Sequence, residues 1–257
     1  MKLHPARAED YITKLTAVAP APPGTPAPIW TAHLERITGG DPDLIEYLQR
    51  FSGYALTGSI REHAFTFGHG GGANGKGVTL NTIKAVLGAY AISIPTELLM
   101  VSKNERHPTE LARLRGVRLA IGSETEDGKR WAEARIKALT GGDPIAARFM
   151  RQDFFEFQPQ FKVFVIGNHR PSLRGVDEAM RRRLHLMPFT VTIPEAERDH
   201  ELPEKLQREW PAILRWCIDA RLAWQHQGLN PPSIVRAATE SYLESEDAIA
   251  QWMEECC

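Results

Sequence analysis

The residues from 70 to 76 have the types and spacing needed for phosphate chemistry. They read GGGANGK and lie between an apolar stretch at residues 64–67 and a segment with apolar residues at helical spacing. Glycines let successive backbone N–H groups turn toward phosphate oxygens, and the start of the following helix adds a partial positive charge. Lys76 would then reach the β and γ phosphates. The residues predicted to bind a nucleotide are Gly70, Gly71, Gly72, Ala73, Asn74, Gly75, Lys76, Gly77 and Val78.

Two alternatives accompany this prediction. Glycine runs also occur in flexible loops, although such loops rarely place a Gly-Lys pair between a strand and a helix. In addition, Gly77 occupies the position where a Ser or Thr hydroxyl ordinarily binds Mg²⁺, and Thr79 is too far along the helix to replace it simply. We therefore expect ATP and Mg²⁺ as cofactors, with the ion held mainly by a carboxylate and water, or else a catalytically weak site.

Two further apolar stretches end in polar residues suited to the same chemistry. Residues 117–121 lead to Glu124, which we expect to orient Mg²⁺ and the attacking water. Glu126 is a second candidate, although an acidic turn more often carries a solvated surface charge. Residues 161–167 lead to Asn168, whose amide can hydrogen-bond the attacking water or the γ phosphate. Asparagine at this place is also ordinary turn chemistry.

The elements that must position these residues alternate between strand and helix. Strands are predicted at residues 64–67, 117–121 and 162–166, and helices at 79–87 and 131–139. This alternation predicts an α/β fold with a central, mainly parallel sheet covered on both faces. The predicted divisions are an N-terminal segment with a Pro/Ala-rich linker at 1–29, a helical subdomain at 30–60, a nucleotide-hydrolysing core at 61–195, and a C-terminal helical segment at 196–257, which we expect to continue further.

Composition limits the partners and the location of the chain. The formal net charge is -1 over 257 residues, so any contact with DNA has to come from a local patch. The three cysteines have neither metal-ligand spacing nor the even number of a disulfide scaffold. No apolar run approaches the about 20 residues needed to cross a bilayer. We expect a cytoplasmic protein of a bacterial host cell with no membrane partner.

Residues 51–189 together resemble the superfamily-three helicases of phage, plasmid and large-virus primase-helicases. The resemblance rests on NGKG at the loop, SETE at the acidic motif, KALTGGD followed by Ala-Arg, GNHRP after the third strand, and RRR before LHLMPF. It implies an AAA+-like P-loop NTPase core with flanking helical segments. It also implies a hexameric ring with ATP sites between subunits, ATP-driven movement along single-stranded DNA in replication, and a primase domain or protein as a partner.

The same resemblance places DNA contacts on a hairpin between residues 143 and 168. Its expected tip carries Arg148, Arg151 and Gln152 for backbone phosphates and Phe149 for stacking on a base. For the three aromatic residues that follow, we expect packing at the base of the hairpin. These residues are Phe154, Phe155 and Phe157.

The arginine triplet at residues 181–183 resembles the arginine finger of these helicases. Such a residue from a neighbouring subunit neutralises charge on the transferred phosphoryl group. Arg182 is the favoured candidate, Arg183 is the second, and a basic surface turn is the alternative. Two other functions fit the motifs: a DNA-remodelling or assembly ATPase that does not unwind strands, and a nucleotide-binding module whose site has decayed.

Overall fold

A five-stranded parallel sheet forms the centre of the computed structural model, which describes residues 7–10, 12–102, 109–123 and 127–247. The strand order in this sheet is β2-β3-β6-β1-β7, and β4 and β5 form a separate antiparallel pair. The strands are β1 Phe65–His69, β2 Ala91–Pro95, β3 Leu119–Ser123, β4 Ile145–Ala147, β5 Phe155–Phe157, β6 Lys162–Gly167 and β7 Leu184–Pro188.

Helices cover both faces of the sheet, so the predicted α/β fold with a central parallel sheet and flanking helices is confirmed. Within the described ranges, no helix is both long enough and apolar enough to span a membrane. The helices are α1 Pro28–Thr38, α2 Pro42–Ala55, α3 Lys76–Leu87, α4 Thr109–Ala112, α5 Glu133–Gly141, α6 Glu178–Arg181, α7 Leu202–Gln207, α8 Trp210–Gln227 and α9 Ser233–Ser245.

The alternation of side chains along β6 divides the hydrophobic core into two layers. Phe164 and Ile166 face the layer formed with α1, α2, α3 and α8, whereas Val163 and Val165 face the layer formed with α5 and α9. Every residue of β6 is buried. A strand that is buried on both faces reads as a continuous apolar run, which explains why residues 162–166 were recognisable in the sequence.

The N-terminal helices belong to the same core as the sheet. Asp41 caps α2 by accepting hydrogen bonds from the backbone N–H groups of Asp43 and Leu44. The Phe51 ring of α2 meets Phe164 of β6 edge-on, with 5.0 Å between ring centroids. Helices α1 and α2 therefore hold a fixed position against the central sheet.

The Pro/Ala-rich segment before α1 forms neither a helix nor a strand and is tied to the core through its backbone. The Ala17 N–H donates to the Val86 carbonyl at 3.1 Å, and the Ala21 N–H donates to the Pro211 carbonyl at 2.9 Å. Arg215 also donates through Nε to the Ala21 carbonyl at 2.9 Å. This segment thus crosses the ends of α3 and α8.

Several predicted boundaries differ from the structure. Helix α3 begins at Lys76 rather than at residue 79, and α5 begins at Glu133, because Trp131 instead bridges to Met100. In the predicted C-terminal helical segment, α9 ends at Ser245, and residues 248–257 lie outside the described ranges. The edge strand β2 was not predicted.

Candidate functional site

The glycine-rich loop and the polar ends of two strands meet at the carboxyl edge of the sheet. Strand β1 lies beside β6, with His69 paired to Gly167, and β6 lies beside β3, with Ile166 paired to Ser123. Because these strands are parallel, the residues that follow them emerge at the same edge. Asn168 and the loop at residues 70–75 are thereby neighbours.

The loop takes a left-handed conformation at three of its positions. Gly72, Ala73 and Gly75 have φ values of 97°, 48° and 76°. A Cβ atom on Gly75 would also lie 2.4 Å from Ile37 Cγ2, so helix α1 can approach the loop only because position 75 is glycine. The glycine at this position therefore serves both the turn and the packing of α1.

The backbone amides of the loop are available as donors. In the described part of the chain, the N–H groups of residues 71–75 donate to no protein acceptor, and those of Gly77 and Val78 lie in the unsatisfied first turn of α3. The loop is held in place instead by its carbonyl groups, since the Ala73 carbonyl accepts from the Ile193 N–H at 2.7 Å. Consecutive free amides at a helix start form an anion-binding concavity.

The Lys76 ammonium lies at the centre of this edge. Its Nζ donates to the Gly70 carbonyl at 2.9 Å and to Asn168 Oδ1 at 2.6 Å, and the residue is only 8% exposed. Burial lowers the pKa of Lys76 from its ordinary value. The structure thus brings Lys76 and Asn168 into direct contact, so the ammonium and the amide lie at the wall of one cavity.

A cavity of about 770 Å³ opens in front of Lys76. It is lined by residues 72–78 together with Asn81, Ser123, Asp127 and Asn168. Glu124 and Glu126, the predicted catalytic and alternative acids, lie outside the described residues. Ser123 precedes them at the end of β3, and the exposed Asp127 carboxylate lies 3.8 Å from His169 Nδ1. Sequence reasoning missed Asp127, which sits in an acidic turn with nothing to distinguish it.

Thr79 is occupied elsewhere, which fits the expectation that it cannot replace a hydroxyl at position 77. Its Oγ1 donates to the Gly75 carbonyl at 3.0 Å and lies 2.9 Å from His33 Nε2. His33 is buried, and this burial lowers its pKa to about 4. No motif had pointed to His33, because α1 precedes every recognisable stretch of the sequence.

A second cavity, of about 660 Å³, adjoins the first on the other side of the loop. Ala73, Gly75 and Val78 line both cavities. The wall opposite the loop consists of α1, with Ile29 and His33, and of the segment after β7. An Arg36–Glu197 ion pair joins these two walls. The surface that lines this cavity is largely apolar, more so than that of the cavity in front of Lys76.

The two candidate finger arginines lie at the opposite edge of the sheet. They follow α6 and precede Leu184, which is the first residue of β7 and pairs with Phe65 at the start of β1. Arg182 is exposed. Arg183 is buried and donates to Thr140 Oγ1 at 3.2 Å and to the Ala179 carbonyl at 2.9 Å. The structure therefore does not bring either arginine to the loop of its own chain.

The predicted hairpin is formed by β4 and β5, with residues 148–154 at its tip. Arg151 and Gln152 are exposed there. Phe149 is 38% exposed and stacks on Phe155, with 5.7 Å between ring centroids. The expectation that all three following aromatic residues pack at the base holds for Phe157, which is buried, but is wrong for Phe154.

Phe154 lies at the tip of the hairpin and not at its base. Its side chain is 62% exposed, and the Arg148 guanidinium lies 4.7 Å from the centroid of its ring. Alternation along β5 explains the difference, because it turns Phe155 and Phe157 toward the protein and leaves position 154 beyond the last paired residue.

Comparison with known proteins gives matches over most of the chain. Residues 68–183 match the model of a family described as "Family of unknown function (DUF5906)". The chain is 27% identical over 230 residues to "Putative helicase 022R" of Frog virus 3 (isolate Goorha), which covers 81% of this chain and 24% of that protein. It is 28% identical over 247 residues to "Putative helicase 184R" of Invertebrate iridescent virus 6, covering 82% and 25% respectively.

A third relative, "Putative helicase L207/L206" of Acanthamoeba polyphaga mimivirus, is 29% identical over 66% of this chain and 18% of its own length. The chain thus spans a quarter or less of these three proteins. A solved structure, the A form of the NrS-1 C terminal region, matches 90% of this chain and 54% of its own, with a TM-score of 0.69 and 11% identity. The chain therefore resembles a segment of viral proteins named as helicases and shares the fold of the NrS-1 C terminal region.

Proposed function

We propose that this chain is an ATP-driven DNA helicase or translocase module. The observation that carries the proposal is the position of Lys76, held between Gly70 and Asn168 at the carboxyl edge of a parallel sheet and facing an open cavity. Free loop amides and an ammonium group match the charge of a triphosphate. An incoming γ phosphate would compete with Asn168 for the same ammonium, which couples the amide to the bound nucleotide.

The two adjoining cavities suit the two ends of a nucleotide. The phosphates would lie along residues 71–76, and the base would enter the largely apolar cavity lined by Ile29 and Val78. Cofactor sites are typically lined by apolar side chains together with a small number of placed polar groups. Because Ala73, Gly75 and Val78 line both cavities, one nucleotide can reach from one cavity into the other.

The cavity in front of Lys76 also fits a magnesium ion. Ser123 and Asp127 offer oxygen atoms on its wall. Mg²⁺ commonly keeps several waters and takes one or two carboxylates together with phosphate oxygens. Ser123 and Asp127 would hold the ion with water, and Glu124 remains a proposed ligand. When bound, the ion would neutralise charge on the phosphates.

The position of Arg182 supports hydrolysis between neighbouring copies. A strand of five residues spans about 16 Å, so an arginine before β7 is separated from the loop of its own chain by the length of the sheet. Its exposure leaves it available to the site of another copy. We propose that copies assemble with Arg182 of one beside Lys76 of the next, in a hexameric ring.

The hairpin is the proposed contact with single-stranded DNA. The half-buried Arg148 and the exposed Phe154 form a pair that can meet a phosphate and a base without reading sequence, and the exposed Arg151 and Gln152 follow Arg148 in the same tip. The helicase names of the viral relatives support this assignment. A role in phage or plasmid replication with a primase, inside a bacterial cytoplasm, remains part of the proposal.

ATP hydrolysis measured with and without single-stranded DNA tests the proposal. We expect DNA to stimulate hydrolysis, and we expect Lys76→Ala to abolish it. Lys84→Ala is the matched control, since Lys84 lies on the same helix and its Nζ only donates to Ser93 Oγ at the surface. Undiminished turnover in Lys76→Ala would refute the assignment. A strand-displacement assay then separates a helicase from an ATPase that remodels DNA without unwinding it.

A further inference from the structure

One ring nitrogen of His33 is a fixed hydrogen-bond acceptor at the wall of the apolar cavity. His33 Nε2 lies 2.9 Å from Thr79 Oγ1, and the same hydroxyl lies 3.0 Å from the Gly75 carbonyl. A carbonyl oxygen can only accept, so the Thr79 hydrogen is committed to Gly75. The Thr79 oxygen can then only accept from His33. Nε2 must therefore carry the ring hydrogen, which leaves Nδ1 with a lone pair.

The histidine stays neutral, so this tautomer is maintained at ordinary pH. Burial lowers the pKa of His33 to about 4. None of the arginine and lysine side chains that line the cavity is bonded to His33: Arg36 pairs with Glu197, Lys205 pairs with Asp199, and Arg198 Nε donates to the Ile193 carbonyl at 3.0 Å. At neutral pH the ring therefore presents one donor to Thr79 and one acceptor elsewhere.

The other ring nitrogen of His33, Nδ1, is unbonded within the described part of the chain and accessible. Nδ1 has no hydrogen-bond partner among the residues that the structure describes. The wholly buried side-chain polar atoms that lack a partner there are Trp30 Nε1 and Arg118 Nε, and His33 Nδ1 is not one of them. His33 lines the apolar cavity beside the glycine-rich loop, so this cavity is the space from which a base could reach the accessible nitrogen.

We propose that His33 Nδ1 accepts a hydrogen bond from the 6-amino group of adenine, and thus favours ATP over purine nucleotides that lack an amine at that position. The inference rests on the proposed binding of a triphosphate at Lys76. Adenine presents an amine where guanine presents a carbonyl oxygen, and a carbonyl facing the Nδ1 lone pair would leave two acceptors opposed. The Thr79 hydroxyl thus takes part in base selection by fixing the tautomer instead of binding a metal ion.

Competition binding against a fluorescent ATP analogue tests this assignment on the full chain. The competitors are ATP, GTP and purine riboside triphosphate, which lacks only the exocyclic amine of ATP. We expect ATP to bind about threefold to tenfold more tightly than purine riboside triphosphate, the contribution of one hydrogen bond, and GTP to bind more weakly than either. In His33→Phe, ATP and purine riboside triphosphate should bind alike.

Two further variants keep the test decisive. His185→Phe is the matched control, because His185 is a mostly buried histidine that bonds Tyr47 away from both cavities, and it should retain the preference. Thr79→Val removes the hydroxyl that fixes the tautomer and should reduce the preference, even where His33→Phe does not fold. Equal affinity for ATP and purine riboside triphosphate in the unaltered protein, or an unchanged preference in His33→Phe or Thr79→Val, would overturn the inference.

The same titration separates this inference from the proposed function. If Lys76→Ala lowers the affinity for every triphosphate while the bases remain undistinguished, the nucleotide site stands and the role of His33 fails. If no triphosphate binds, or if binding is indifferent to Lys76, the proposed function fails and the assignment of His33 fails with it.

Discussion

Replacing Asn168 by aspartate should weaken nucleotide binding through its contact with Lys76. In the protein, Lys76 Nζ lies 2.6 Å from Asn168 Oδ1 and is largely shielded from solvent. A hydrogen bond to a charged group contributes about 1.5–3 kcal/mol, and a carboxylate in place of the amide adds an attraction between opposite charges. A triphosphate has to draw the ammonium away from that partner and must also approach a new negative charge.

We therefore expect the Kd for ATP to rise by about 10-fold to 100-fold in Asn168→Asp, which corresponds to about 1.4–2.8 kcal/mol. In Asn168→Ala the ammonium keeps its bond to the Gly70 carbonyl and loses only the competing amide, so binding should be at least as tight as in the unaltered protein while turnover falls. Titration of a fluorescent ATP analogue measures both effects. Asn81→Asp is the matched control, because it adds the same charge to the wall of the same cavity.

A similar loss of affinity in Asn81→Asp would show that charge in the cavity, and not the contact with Lys76, is responsible. Unchanged affinity in Asn168→Asp would refute the reasoning altogether. The competition between Asn168 and the γ phosphate for a single ammonium would then not exist.

Three other predictions follow from burial and exposure. Burial lowers the pKa of His33 and His185 to about 4, whereas the pKa of an unfolded histidine is about 6.5. The unfolded chain therefore binds more protons than the folded chain between these pH values. The free energy of unfolding, measured with urea, should fall by about 2 kcal/mol per histidine from pH 7.5 to pH 5. A free energy of unfolding that does not change with pH over this range would contradict the prediction. Phe154→Ala should weaken single-stranded DNA binding, measured by anisotropy, by about 1–3 kcal/mol, with an unchanged melting temperature. Arg182→Ala should bind ATP without turnover and regain activity when mixed with Lys76→Ala, and an absence of rescue would argue against a shared site.

The parts of the fold that the sequence predicted are those with a strong local pattern. Strands β1, β3 and β6 are apolar runs buried in the centre of the sheet, and the glycine-rich loop is fixed by local backbone chemistry. Strand β2 was missed because it is an edge strand in which Ile92, Ser93 and Pro95 are not buried. Its place in the sheet depends on pairing with β3. No local pattern specifies that pairing.

The candidate site was predictable where it lies on contiguous sequence and not where it depends on tertiary contacts. The motifs that carry Lys76 and Asn168 were each recognisable in the sequence, whereas their contact depends on the pairing of β1 with β6. His33 and Thr79 are 46 positions apart in the sequence. Their contact depends on how α1 packs against the glycine-rich loop, where Gly75 has no side chain to keep the helix away. Phe154 shows the same limit, because its exposure depends on where the pairing of β4 and β5 stops.

The separation of the loop and Arg182 to opposite edges of one sheet restricts how the proposed ATPase can assemble. A two-fold dimer would pair each loop with the partner's Arg182 and complete two sites, whereas the proposed ring needs a head-to-tail contact in which each copy gives Arg182 to one neighbour and its loop to the other. Whether such a series closes on itself or continues as a filament is set by the rotation between successive copies. A change of a few degrees at that contact would alter the assembly while leaving every group around Lys76 intact.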